Sequence, residues 1–282
     1  MLKTVGGVIL AVRGSEAAAE TFGALFGAEE IGSQHSDFLG ADIRFLGCGT
    51  NIIGVAEPTG EGAVAEHLDG WGEGLFAAIF TTDDVGAIAS RATERGVGLA
   101  EENDVVYLDP AATFGLRMLV APHIDRGPVG IISFLYEVTH LVKDWKASSD
   151  FLTDLFGLEG ARFSPIRSDQ YGYEGVLTLF DPPDKLDRIE VVHPHDTEKA
   201  MGRFFVKRGE GPYMFFMETN DMPGLRARLK AAGARFAPEE EPEQPNSLFV
   251  HPSSTHGVLI GVSPRNLAWV WSGRPELARA QT

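Results

Sequence analysis

The chain carries one layout twice, and that repeat limits its fold more than any other feature. Val12-Arg13-Gly14 returns as Val142-Lys143-Asp144 at an offset of 130. Asn51–Pro58 (NIIGVAEP) returns as Asp187–Pro194 (DRIEVVHP) at 136. Gly72-Glu73-Gly74 matches Gly209-Glu210-Gly211, and Arg91…Gly96 matches Arg228…Gly233, both at 137. Gly115–Pro122 (GLRMLVAP) matches Gly257–Pro264 (GVLIGVSP) at 142. The offset grows only inside connections, where insertions are tolerated better than in strands. The sequence therefore predicts a duplicated module.

Within each copy the pattern alternates between strands and helices. Val5–Ala28 (VGGVILAVRGSEAAAETFGALFGA) and Tyr136–Leu158 (YEVTHLVKDWKASSDFLTDLFGL) each set an apolar strand before an amphipathic helix. In the first copy Ser15 is expected to cap that helix, and Ala17, Phe22, Leu25 and Phe26 form its apolar stripe. Further strands are expected at Asp42–Leu46, Asn51–Ala56, Leu75–Thr81, Asp104–Leu108 and Gly115–Val120. A helix over Asp84–Arg95 is stopped by Gly96. Pro58–Gly74, rich in Gly and Glu, reads as a connection. The fold class is α+β, with two tandem modules over 1–123 and 131–270, a linker at His123–Val129 and a tail over 271–282.

Charge narrows the partners. With 40 acidic against 24 basic residues the formal charge is −16, a surface that repels phosphate backbones, so neither nucleic acid nor an anionic membrane is expected. A lone cysteine, Cys48, allows no intrachain disulfide and no cysteine-based zinc site. No apolar run approaches the ~18 residues that span a bilayer, and the expected location is cytoplasmic. The glycine-rich stretches lack phosphate-loop spacing, so no nucleotide cofactor is expected.

Four segments, VKDWKASSDFLTDLFGL, FFVKRGEGPYMFF, RLKAAGARF and FVHPSSTHGVLI, resemble in order those of the vicinal oxygen chelate superfamily, which includes glyoxalases, bleomycin-resistance proteins and extradiol dioxygenases. The likeness is strongest to its methylmalonyl-CoA epimerase branch, covers most of residues 131–264, and continues more faintly through the first copy. It implies paired βαβββ units that form an open mixed barrel in each module. It also implies four inward positions that ligate a divalent metal. Matching motifs puts those positions at Glu137, Glu190, Met214 and Gly261, and in the first copy at Gly7, Gly54, Ala77 and Leu119. None of the latter four can bind a metal, so the expected site lies in the second module.

Glu137 and Glu190 form the ligand-capable pair. Two carboxylates can hold Mg²⁺ or Mn²⁺ with waters. Close together in an apolar barrel, one of them should instead become a general acid/base, because burial and like charge disfavour ionisation. The structural alternative is that they pair with Arg188 or another base. Strand alternation sends His140 to the face opposite Glu137, leaving it a reserve ligand after a register slip. His256 and the tyrosines Tyr136, Tyr173 and Tyr213, with Met214 and Gly261, are expected to surround a substrate. Arg203, Lys207 and Arg208 form a basic strip that could meet an anionic substrate tail; a solvated helix face is its ordinary use.

The expected activity is proton transfer on a small carbonyl-containing metabolite: isomerisation, epimerisation or elimination. A small-molecule sequestering protein is the alternative from another class. An extradiol-type dioxygenase needs a two-histidine, one-carboxylate face, which these positions do not supply. A homodimer is expected as the common default.

Overall fold

In the computed structural model, which describes residues 1–182, 184–240, 242–243 and 246–280, the two copies form two eight-stranded mixed sheets. The first copy contains β1 (Thr4–Ala11), α1 (Ser15–Phe26), β2 (Glu29–Ser36), β3 (Ala41–Cys48), β4 (Asn51–Pro58), α2 (Ala63–Trp71), β5 (Gly74–Thr82), α3 (Val85–Glu94), β6 (Leu99–Glu102), β7 (Val105–Leu108) and β8 (Met118–Pro122). The second contains β9 (Phe134–Leu141), α4 (Trp145–Phe156), β10 (Ser164–Ser168), β11 (Tyr173–Leu177), β12 (Arg188–Pro194), α5 (Ala200–Arg208), β13 (Gly211–Thr219), α6 (Met222–Ala231), β14 (Phe236–Ala237), β15 (Leu248–Val250) and β16 (Leu259–Pro264). Two short helices follow, α7 (Leu267–Trp271) and α8 (Pro275–Ala280). No helix among the described residues is long and apolar enough to cross a membrane.

The strand order is β2-β3-β4-β1-β5-β8-β7-β6 in one sheet and β10-β11-β12-β9-β13-β16-β15-β14 in the other. Each barrel is thus built from the two units of a single copy. The first strands of those units, β1 with β5 and β9 with β13, pair antiparallel at the centre.

The main core lies between the sheets. Phe22 and Phe26 of α1, Leu152 and Phe156 of α4, Leu225 of α6, and the strand residues Leu10, Val138 and Phe215 belong to one apolar cluster shared by both copies. Polar groups also cross the boundary. Asn51 donates through Nδ2 to the Val5 and Leu135 carbonyls at 2.6 and 3.2 Å, and accepts from Leu135 N at 2.8 Å.

Two local expectations need correction. Ser15 does not cap α1. The N-cap is Gly14, and the Ser15 hydroxyl is drawn away to Glu57 Oε2 at 2.9 Å. The stretch Pro58–Gly74 is not only a connection, since its middle is helix α2, anchored by the buried Val64 and Leu68.

The interiors of the two barrels differ. The first is filled by Ile9, Ile43, Phe76, Ile79, Tyr107 and Leu119. Gly7, with φ +156, lies so close to β4 that a Cβ would strike the Ile52 carbonyl, so no ligating side chain fits there. The second barrel is plugged at one end by Trp269 and Ala268 of α7, packed against Tyr136, Leu179 and Leu186, and keeps a cavity elsewhere.

Candidate functional site

The cavity of the second barrel measures about 600 Å³, within the range of small-molecule sites. Glu137, Glu190, Tyr173, Tyr213 and Met214 line it, together with Phe216, Phe249 and Trp271. Five of the positions expected from sequence therefore share one space. Their convergence depends partly on register breaks. The ladder between β9 and β13 skips Tyr136 on one strand and Tyr213 on the other. At such a bulge, neighbouring residues escape strict alternation. Tyr136 and Glu137 thus both face inward, while Leu135 and Val138 join the main core.

Glu137 and Glu190 are 3 and 5% exposed, yet their surroundings differ. Glu137 Oε2 accepts from Arg188 Nε at 2.5 Å, in an ion pair with Arg188 fully buried. The two residues are register partners on the parallel strands β9 and β12. Arg188 also donates through Nη1 to Ser272 Oγ at 2.6 Å and lies 5.0 Å from the Tyr136 ring centroid. Among the described residues no cation is bonded to Glu190. Its Oε2 accepts from Thr139 Oγ1 at 2.6 Å. Burial first, and the charge of Glu137 second, push its carboxyl up to about 8; bonds from Thr139 and Tyr173 and the Arg188 charge only partly oppose this. Burial and the same carboxylate raise the Tyr173 phenol.

The remaining candidates are placed elsewhere. His140 faces away from the cavity, fully buried, with Nε2 2.8 Å from the Phe114 carbonyl. Burial lowers it to about 4. His256 does not reach the cavity. It bridges the copies, with Nδ1 3.0 Å from Glu73 Oε2 and Nε2 3.1 Å from Thr21 Oγ1. Tyr136 is fully buried and shares a 3.1 Å hydrogen bond with Ser263. Gly261 lies behind the Phe216 ring, which a Cβ would strike.

Ser247, which sequence patterning does not single out, lines the cavity with a buried hydroxyl that has no hydrogen-bond partner among the described residues. Phe216, Phe249 and Trp271 are further walls that sequence patterning does not single out, Trp271 being supplied by a helix beyond the repeat.

The residues present do not fit a resident metal. No group of three or more His, Cys, Asp or Glu side chains is gathered for one among the described residues. No histidine lines the cavity among the described residues. The third and fourth expected ligand positions carry a thioether and a hydrogen atom, and Glu137 is already neutralised by a fixed guanidinium. A divalent ion would have to compete with that guanidinium for the carboxylate.

Comparison with known proteins agrees with this architecture. Along its full length the structure is similar to a triple mutant of 4-hydroxymandelate synthase from Streptomyces coelicolor, with a TM-score of 0.74, 13% identity, and 100% of both chains covered. Methylmalonyl-CoA epimerase from Mycobacterium tuberculosis is similar over 48% of this chain and 89% of its own, at 24% identity and a TM-score of 0.40. No curated protein matches the chain. The family model described as Glyoxalase/Bleomycin resistance protein/Dioxygenase superfamily matches residues 136–262. That match covers most of the second module and carries the likeness to the glyoxalase, or vicinal oxygen chelate, superfamily.

Proposed function

We propose that the protein is an enzyme that moves a proton on a small carbonyl-containing metabolite held in the second barrel, with Glu190 as the acid/base. The observation that carries this reading is the unequal treatment of two buried carboxyl groups. Glu137 is ion-paired to Arg188, whereas Glu190 is raised towards neutrality inside the cavity. Environments that separate two such groups assign them different roles. A base near neutral pKa can take a proton from carbon beside a carbonyl and return it elsewhere on the same molecule. Tyr173 and Ser247 are hydroxyl donors at the cavity wall, suited to the oxygen on which charge develops. Glu137 and Arg188 hold the strands and the local charge in place.

The test is solvent deuterium incorporation into a panel of 2-oxo acids, acyl thioesters and hydroxy-ketones. Incorporation by the native protein, lost in Glu190→Gln, supports the assignment; equal incorporation by that variant, or none with any compound, overturns it.

The aromatic wall of Tyr171, Phe216, Phe249 and Trp271 favours a second reading, sequestration of a planar or apolar molecule. In that case bound ligand is recovered unchanged, and Glu190→Gln binds it as well as the native protein does.

A further inference from the structure

A second, smaller cavity of about 120 Å³ lies where the two copies meet. Its walls are His67 and Trp71 of α2, Phe204 and Arg208 of α5, Phe76 of β5, and Arg117 just before β8. We propose that this cavity is a binding site for a small tetrahedral oxyanion, held by Arg117, Arg208 and His67.

The charge arrangement carries the proposal. In a chain of formal charge −16, three basic side chains converge on one small space with no salt bridge to any of them among the described residues. Arg208 donates through Nη2 to the Trp71 carbonyl at 2.8 Å, and its guanidinium lies 5.2 and 4.9 Å from the Trp71 and Phe204 ring centroids. Those contacts fix the group and leave its other N–H donors without a hydrogen bond among the described residues. Arg117 lies 4.6 Å from the Phe76 ring centroid. The imidazole of His67 meets the same ring edge-on at 5.4 Å, and its buried Nε2 has no hydrogen-bond partner among the described residues. A buried polar atom without a partner is costly unless a ligand or water completes it.

The carboxylates do not answer this need. Glu66 and Asp109 act on Arg117 only through their charge and lie outside the lining. Glu210 does line the cavity, but its Oε1 accepts from Lys143 N at 2.8 Å. Burial, then Arg208 and Arg117, lower His67 to about 4, and no salt bridge among the described residues offsets the two guanidinium groups. An oxyanion reverses that effect by accepting from all three.

The repeat alone does not create this cluster. At the offset of 137, His67 corresponds to Phe204 and Trp71 to Arg208, while at 142 Arg117 corresponds to Leu259. Each donor therefore stands opposite a residue of different chemistry in the other copy.

The test is titration of the intact chain with inorganic phosphate, sodium chloride holding ionic strength constant. Calorimetry follows binding, and the ring proton resonances of His67 follow its ionisation. The expected result is saturable binding at one site per chain, with the His67 midpoint moving upward. Arg208→Gln, at a partly exposed position that should leave folding intact, is expected to weaken binding on the order of tenfold, and Arg117→Gln likewise. A response that does not saturate, an equal response to chloride, or an unchanged affinity in Arg208→Gln would overturn the proposal.

Discussion

Arg188 Nε lies 2.5 Å from Glu137 Oε2 with neither group open to solvent, and the two residues are register partners on the parallel strands β9 and β12. Removing one partner from a buried pair leaves a charge without compensation. Arg188→Met is therefore expected to lower unfolding free energy by about 3–5 kcal/mol. The double variant Glu137→Gln/Arg188→Met should recover much of that loss. Urea denaturation of the three proteins measures both effects; a double variant no more stable than the single one would mean that the pair's coupling is weak.

Glu190 makes the stability depend on pH. Its folded value, about 8, is above its unfolded value of 4.5, so the native state holds a proton that the unfolded chain has lost. Its stabilising contribution is present below the unfolded value and fades as pH rises towards 8. Asp187, raised to about 7 by burial, has the same sign in a lower window. His140 and His67, lowered to about 4, have the reverse sign and complete their effect by pH ~6.5. Between pH 7 and 8 Glu190 is thus the main one of these four still changing. Glu190→Gln should reduce the fall in unfolding free energy over that interval by about 1 kcal/mol. Denaturation curves of both proteins at the two pH values check this.

Metal removal should leave the protein unaffected. The guanidinium of Arg188 already satisfies Glu137, and Met214 and Gly261 contribute no ligand atom. Dialysis against a chelator is expected to change neither the melting temperature nor ligand binding by the second barrel. Adding Mn²⁺ or Zn²⁺ should not raise the melting temperature, as a metal that binds only the native state would. A saturable rise that disappears in Glu190→Gln would show that the carboxylates take a metal after all.

Much of this was legible in the sequence, because strands and helices leave periodic marks and a duplication displays them twice. Glu137 and Glu190 could be placed together because the family resemblance puts both at inward positions of their strands, and both line the cavity. What stayed hidden depends on distant partners. His256 is held by Glu73, 183 positions away, and so turns to the boundary between the copies instead of the cavity. Ser272, 84 positions from Arg188, lies in a stretch that reads as a tail. Helix α2 was obscured by the glycines and glutamates around a short apolar pair, Val64 and Leu68.

That C-terminal stretch is itself part of the site. Trp269 is 1% exposed and packs with Tyr136, Leu179 and Leu186 at the closed end of the barrel. Two positions on, Trp271 forms cavity wall, and the next residue, Ser272, anchors Arg188. Trp269→Ala should therefore do more than leave a void. The void alone is expected to cost about 3–5 kcal/mol. If α7 loosens as well, Arg188 loses its Nη1 partner and the cavity loses Trp271. The expected signature is reduced stability together with weaker ligand binding, measured by denaturation and by fluorescence titration. Val270→Ala, at a half-exposed neighbouring position, should change stability by less than about 0.5 kcal/mol and leave binding intact. Equal behaviour of the two variants would mean that α7 covers the barrel without supporting the site.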